Sequence, residues 1–143
     1  MEKIVVGIDG SDASKAALRW AVEDARARGA EVVALHAYEV PVAAPDAAPT
    51  SPVDLPALVA DTHAGAQQLA AEIVDEVVGN AVSVDVAPIA VEDPPAKALI
   101  DASRDADLLV VGSHGHGLSG RFLGSVSLEC VQHASCPVVV HRR

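Results

Sequence analysis

Short apolar runs rich in β-branched residues recur along this chain, and each is separated from the next by a stretch with helical character. Lys3 to Ile8 is the first such run, followed by the turn Asp9-Gly10-Ser11-Asp12. An Ala-rich segment from about Ala13 to Arg28 carries Leu18, Ala21, Val22 and Ala25 as one apolar stripe with Ala17 beside it. Ser11 or Asp12 is placed to cap its start, Asp24 and Arg28 support it at i,i+4 spacing, and Gly29 is its expected stop. Glu31 to Ala37 reads as a second strand, and Val82, Val84 and Val86 alternate with polar or small residues to give a strand over 82–87, placed at a sheet edge. Asp107 to Val111 and Pro137 to His141 are the fourth and fifth strands. Between them lie helices predicted over about 57–78, from Asp93-Pro94-Pro95 to about Arg104, and over about 126–133. Leu58, Ala66, Leu69, Ile73 and Val77 fall near one face of the first of these. Alternation of this kind predicts an α/β fold, a doubly wound parallel sheet with helices on both faces and one domain over residues 1–143.

One region breaks the pattern. From Glu39 to Pro56 the chain carries Pro41, Pro45, Pro49, Pro52 and Pro56, which excludes any regular element and predicts a long surface loop. Composition bounds the rest. Half the residues are apolar but only 2% are aromatic, so the core must be built from Ala, Val, Leu and Ile, with Trp20, Tyr38 and Phe122 as its only aromatics. The formal charge of −10 argues against a nucleic-acid partner, which needs clustered Lys and Arg. No apolar run approaches the roughly 20 residues of a membrane span. Met1-Glu2-Lys3 leads straight into the first strand, leaving no room for a signal peptide, and two cysteines without a CxxC spacing predict small buried hydrophobes. A reduced, cytoplasmic setting is the expectation.

The most informative stretch runs from Leu108 to Ser127. A buried strand leads into a loop carrying Gly112, Gly115, Gly117, Gly120 and Gly124, then into a helix that Ser125 or Ser127 is placed to cap. Glycine lets the backbone approach a ligand closely, and the first helical N–H groups lack intrahelical partners. Together these make an anion site, with a nucleotide's phosphates as the expected occupant. In a doubly wound sheet the ligand lies beyond the carboxyl ends of the strands, where Asp9 also falls, so Asp9 is a ligand contact as well as a turn residue.

Other motifs argue the other way. Gly115-His116-Gly117-Leu118-Ser119-Gly120 is a literal GxGxxG, but it does not open a helix at once and the next strand ends in basic rather than acidic residues, against a dinucleotide site. There is no GxxxxGK[ST]. His114 and His116 have no Cys or carboxylate beside them to complete a zinc site. Arg121, the loop's one positive charge, is a candidate phosphate partner or a solvated side chain. Ser119 sits in Gly-Leu-Ser-Gly rather than GxSxG, and no nucleophile stands beside a base in a familiar order. Machinery for catalysis is not visible, beyond slow hydrolysis by a positioned water.

Two ends of the chain resemble a known family. Val6-Gly7-Ile8-Asp9-Gly10-Ser11 followed by Ala16-Ala17-Leu18-Arg19-Trp20-Ala21 looks like the start of universal stress proteins. Gly112-Ser113-His114-Gly115 with Gly124-Ser125-Val126-Ser127 resembles that family's ATP-binding signature, and Cys136-Pro137-Val138-Val139-Val140 its closing strand. The signature has nine residues between its second and third glycines; here 116–123 supply eight, which implies a tighter loop. The resemblance implies strand order 3-2-1-4-5, a homodimer made partly through the last strand, and ATP, alone or with Mg2+, held between the first and fourth strands. Site residues carried over are Asp9 near ribose and adenine, Ala37 bordering the base, Gly112, His114 and Gly115 around ribose and phosphates, and Gly124, Ser125, Val126 and Ser127 at the phosphates, with Gly7, Ile8, Val111 and Ser113 as further members of the site. The implied function is an ATP-binding regulator of the stress response. The alternatives are an AMP or cyclic-AMP binder and a nucleotide-free dimeric interaction module.

Overall fold

The structure, a computed structural model, describes residues 2–40, 55–79, 83–113 and 124–142, with residues 55–61 described by their backbone. Among these the chain order is β1 (Lys3–Gly7), α1 (Asp12–Arg28), β2 (Glu31–Tyr38), α2 (Leu55–Val78), β3 (Val86–Glu92), α3 (Pro95–Ser103), β4 (Leu108–Gly112), α4 (Ser125–His133) and β5 (Val138–His141). The strands form an all-parallel sheet in the order β3-β2-β1-β4-β5. β1 lies at its centre, pairing Ile4 with Val32 on one side and with Leu108 on the other.

Both faces of the central strands are covered, which is why they read as unbroken apolar runs rather than as alternation. Ile4, Val6, Leu108 and Val110 point into a core shared with α1 and α2. Val5, Leu109 and Val111 point into a second core shared with α3 and α4. α1 presents Ala17, Ala21 and Ala25, all fully buried, beside Leu18 and Val22. Those small side chains let the helix axis approach the sheet closely. Ser11 caps α1 by accepting the Ser14 N–H at 3.2 Å, and Gly29 ends it in the left-handed conformation (φ 69°). Trp20 is half-buried against this core.

The two sheet edges differ. On β3 the odd-numbered residues bond β2: Asp85 O accepts the Val32 N–H at 2.8 Å, and the Asp93 N–H reaches Tyr38 O at 3.0 Å. The backbone groups of the even-numbered residues therefore face outward. Pro88 has no N–H to expose there, and Gln67 of α2 covers the next two positions, donating to Pro88 O and accepting from Ala90 N–H at 2.8 Å each. On β5, Leu109 N–H donates to Pro137 O and Ser113 N–H to His141 O, so the Val138 and Val140 backbone groups face outward, and none of the described residues pairs with them.

Three expectations need correction. The third strand is Val86–Glu92, not 82–87. Val84 is buried, as the alternation implies, but it precedes the strand, because β3 is set by β2, from Val32↔Val86 to Tyr38↔Glu92. Val82 lies outside the described residues. The buried face of α2 is Ala70, Ile73 and Val74, whereas Leu69 is 41% exposed. Gln67 fixes this rotation: once it faces β3, Leu69, 200° further round, must face away. Leu58 is outside the described side chains. Finally, neither Ser125 nor Ser127 caps α4; Gly124 is the N-cap residue, without a side-chain bond. α2 begins at Leu55, with Pro56 in the first turn, where a missing N–H costs nothing. The proline-rich stretch over 41–54 lies outside the described residues.

Candidate functional site

The connections after β1 and β4 leave in opposite directions, α1 to one face of the sheet and α4 to the other. A crevice opens between the two carboxyl ends, as it must at such a switch point. A cavity of about 250 Å3 occupies it. Gly7, Ile8 and Asp9 line it from β1, Ser14 from α1, Leu35 and Ala37 from β2, Pro95 and Leu99 from α3, Val111 and Gly112 from β4, and Gly124 to Ser127 from the start of α4.

A closed ring of hydrogen bonds holds the β1 side. Asp9 Oδ1 accepts from both the Ser11 N–H, at 2.9 Å, and the Ser11 hydroxyl. The Ser11 Oγ in turn accepts the Ser14 N–H. The Ser14 hydroxyl accepts the Asp9 N–H at 3.2 Å and donates to Ser11 O at 3.1 Å. Both serines are buried, so each hydroxyl's single hydrogen has a definite destination. The ring fixes the Asp9 carboxylate at the cavity wall. His36 Nδ1 lies 3.1 Å from Ile8 O and steadies the same turn from β2.

On the β4 side the backbone comes close. A Cβ on Gly112 would lie 3.1 Å from the Ala13 carbonyl carbon and 3.2 Å from its oxygen, both immobile. Glycine lets the ends of β4 and α1 meet there without displacement. Ser113 O then accepts the Gly124 N–H at 2.7 Å, which seats α4 with its first N–H groups at the crevice. Among the described residues no Lys or Arg lines the cavity. The positive groups at its wall are backbone amides and the positive end of the α4 dipole. The opposite wall is apolar: Leu35, Ala37 and Leu99 form a slot, and Leu99 Cδ1 packs where a Gly7 side chain would stand, 2.8 Å from the ideal Cβ position.

Of the residues singled out from the sequence, Gly7, Ile8, Asp9, Ala37, Val111, Gly112, Gly124, Ser125, Val126 and Ser127 meet at this cavity. Ser113 lies buried behind it. His114 and Gly115 fall outside the described residues, as do His116 and Arg121. Ser14, Leu35, Pro95 and Leu99 were not anticipated. Leu35 was within reach, since it shares a strand face with Ala37 at i,i+2. Pro95 and Leu99 come from a helix whose approach no local pattern encodes. Among the described residues no group of three His, Cys, Asp or Glu could hold a metal ion, and no helix is long and apolar enough to cross a membrane.

Beyond the cavity, Lys97 lies 3.0 Å from both Asp93 and Asp101, and these hydrogen bonds raise its pKa. Partial desolvation and the nearby Glu92 raise that of Tyr38, whose hydroxyl is 2.6 Å from His63 Nδ1.

A family model, the universal stress protein family, matches residues 1–142. The chain belongs to the universal stress protein family. Two universal stress proteins of Mycobacterium tuberculosis are 38% and 39% identical to it over 145 residues, covering 98% and 96% of this chain but 45% and 46% of their own. The chain thus spans about half the length of the curated relatives it matches. Among solved structures, a universal stress protein from Lactobacillus plantarum superposes with a TM-score of 0.76 at 27% identity, covering 99% of this chain and 97% of that one. A universal stress protein in complex with cAMP superposes at 0.70, also at 27% identity, covering 99% and 96%. The five-stranded order found here is that of the family's solved structures.

Proposed function

We propose that this universal stress protein binds ATP in the crevice between β1 and β4 and acts as a nucleotide-dependent regulator in the stress response. The observation that carries the reading is the pairing of an apolar slot with a strand end and helix start stripped of side chains at Gly112 and Gly124. The apolar slot of Leu35, Ala37 and Leu99 suits a purine by polarity. Asp9, held as an acceptor, suits a ribose hydroxyl or an exocyclic amine. The amides of Ser125, Val126 and Ser127 suit phosphate oxygens, as does the Ser125 hydroxyl. Bound ATP would supply the negative charge that these N–H groups lack, and Mg2+ would accompany it through phosphate and water oxygens.

A second reading is an adenine nucleotide with a single phosphate, AMP or cyclic AMP. It is favoured by the 27% identical relative whose solved structure holds cAMP. We further assign to this protein a homodimer formed along β5, whose Val138 and Val140 backbone groups face outward, and a cytoplasmic setting.

The experiment is to denature freshly purified protein and identify any released nucleotide by mass, then titrate ATP, AMP and cyclic AMP against thermal unfolding. A ligand at about 100 times its Kd adds roughly 2.7 kcal/mol of stability. Stabilisation by ATP above the other two supports the leading reading. The reverse order supports the second. No effect from any of them leaves the β5 dimer as the protein's function, as a nucleotide-free interaction module.

A further inference from the structure

The family signature ends in Gly124-Ser125-Val126-Ser127, which invites assigning both serine hydroxyls to phosphate. The geometry separates them. Ser127 is 3% exposed, and its Oγ lies 2.9 Å from Gly124 O and 3.1 Å from Ser113 O. A serine hydroxyl has one hydrogen, and here both carbonyls share it. An ionised phosphate accepts hydrogen bonds and donates none, so it has no use for the remaining lone pairs of Ser127. Ser125, by contrast, is the exposed first residue of α4 and lines the cavity.

The carbonyl that Ser127 reaches is not an ordinary one. Ser113 O also accepts the Gly124 N–H at 2.7 Å, and the Ser113 N–H donates to His141 O at 3.0 Å. The Ser113 backbone is therefore a node tying β4 to β5 through its N–H and to the start of α4 through its carbonyl. Ser127 adds a second bond between that node and α4, one turn further along the helix. Two bonds from one carbonyl to residues 124 and 127 fix not only where α4 starts but how it is rotated. Rotation decides whether the free amides of the first turn point into the crevice.

We propose that Ser127 is a positioning residue. Its hydroxyl clamps the first turn of α4 to the Ser113 carbonyl and so aims the Ser125, Val126 and Ser127 amides, while of these two serines it is Ser125 that offers its hydroxyl to the anion. This rests on the nucleotide reading for the identity of the anion, but not for the clamp itself. The clamp is buried, and both of its bonds run between groups of the protein.

The test has two arms. Hydrogen exchange on the ligand-free protein reads the clamp: Ser127→Ala is expected to speed exchange of the Gly124 and α4 first-turn amides about tenfold, the scale of one lost buried hydrogen bond, and Ser127→Thr, which keeps the hydroxyl, is expected to restore protection. Calorimetric titration with ATP and with adenosine reads the aim. Ser127→Ala is expected to weaken ATP about tenfold and adenosine less than twofold; Ser127→Thr retains ATP affinity, and Ser125→Ala weakens ATP without changing amide exchange. Unchanged exchange in Ser127→Ala overturns the clamp. Equal loss of ATP and adenosine, or no loss of ATP, overturns the aiming role. A wild-type protein that binds neither ligand overturns the nucleotide reading, and the exchange arm still decides the clamp.

Discussion

The side-chain amide of Gln67 grips the outer edge of β3 beside Ala90, accepting that residue's N–H at 2.8 Å while its own NH2 donates to Pro88 O. A carboxamide is the one side chain that reproduces a neighbouring strand's donor and acceptor together, and here it ends the sheet. Replacing Gln67 by Leu is expected to cost about 1–3 kcal/mol, since it strands a donor and an acceptor, and to speed hydrogen exchange at Ala90. It also uncovers an edge, so light scattering should detect assemblies larger than those the parent chain forms. A monodisperse, equally stable Gln67→Leu protein would contradict the role given to this contact.

The two glycines at the cavity wall should respond differently to alanine. At Gly112 the new Cβ meets the Ala13 backbone at 3.1 to 3.3 Å, and backbone cannot step aside. Gly112→Ala is expected to lose about 1–3 kcal/mol in chemical denaturation and to weaken nucleotide binding by displacing α1. At Gly7 the obstacle is Leu99 Cδ1, the far end of a rotatable side chain. Gly7→Ala should cost less than about 1.5 kcal/mol. A swung Leu99 would narrow the slot, so nucleotide affinity should fall out of proportion to stability.

Ser11→Ala removes the N-cap of α1 and a donor to Asp9 in one step. Loss of the cap is expected to cost about 1 kcal/mol. Ser11→Asp, which keeps an N-cap acceptor but sets a carboxylate against Asp9, should recover part of the helix stability and none of the nucleotide affinity. Denaturation and titration of the two variants together separate capping from ligand contact.

Burial, aided by Glu129, pushes the Cys130 thiol up from 9.0 to about 11. The unfolded chain gives up this proton first, so between these values the folded state binds more protons and stability falls as pH rises. Its contribution is intact below about pH 9 and lost by about pH 11. Cys130→Ala should flatten that decline, measured by urea midpoints across the range. At pH 8, iodoacetamide should modify half-buried Cys136 before Cys130, although burial raises the Cys136 thiol as well.

The architecture was legible because its signals are local. β-branched runs, an Ala-rich stripe between Ser11 and Gly29, and prolines at 94 and 95 each fix an element where it stands. What was misread depends on a partner elsewhere. Val82, Val84 and Val86 look like a strand, whereas a segment with Pro88 inside it does not; Pro88 is tolerated only because its missing N–H faces away from β2. Leu69 looks like core until Gln67 is known to face β3. At the cavity, strand ends and glycines could be read directly. The wall supplied by Pro95 and Leu99 could not, since it follows from how α3 crosses the sheet.

The alanines of α1 set a limit that works through size rather than through chemistry. Ala17, Ala21 and Ala25 are wholly enclosed, and the same helix carries Ala13 against Gly112. A single added methyl group anywhere along that seam would lift the helix and carry the floor of the crevice with it. In a library of random substitutions selected for ligand retention, these unremarkable positions should therefore vary less than the bulkier Leu18 or Val22. Along α1, the tightest constraint falls where there is least side chain.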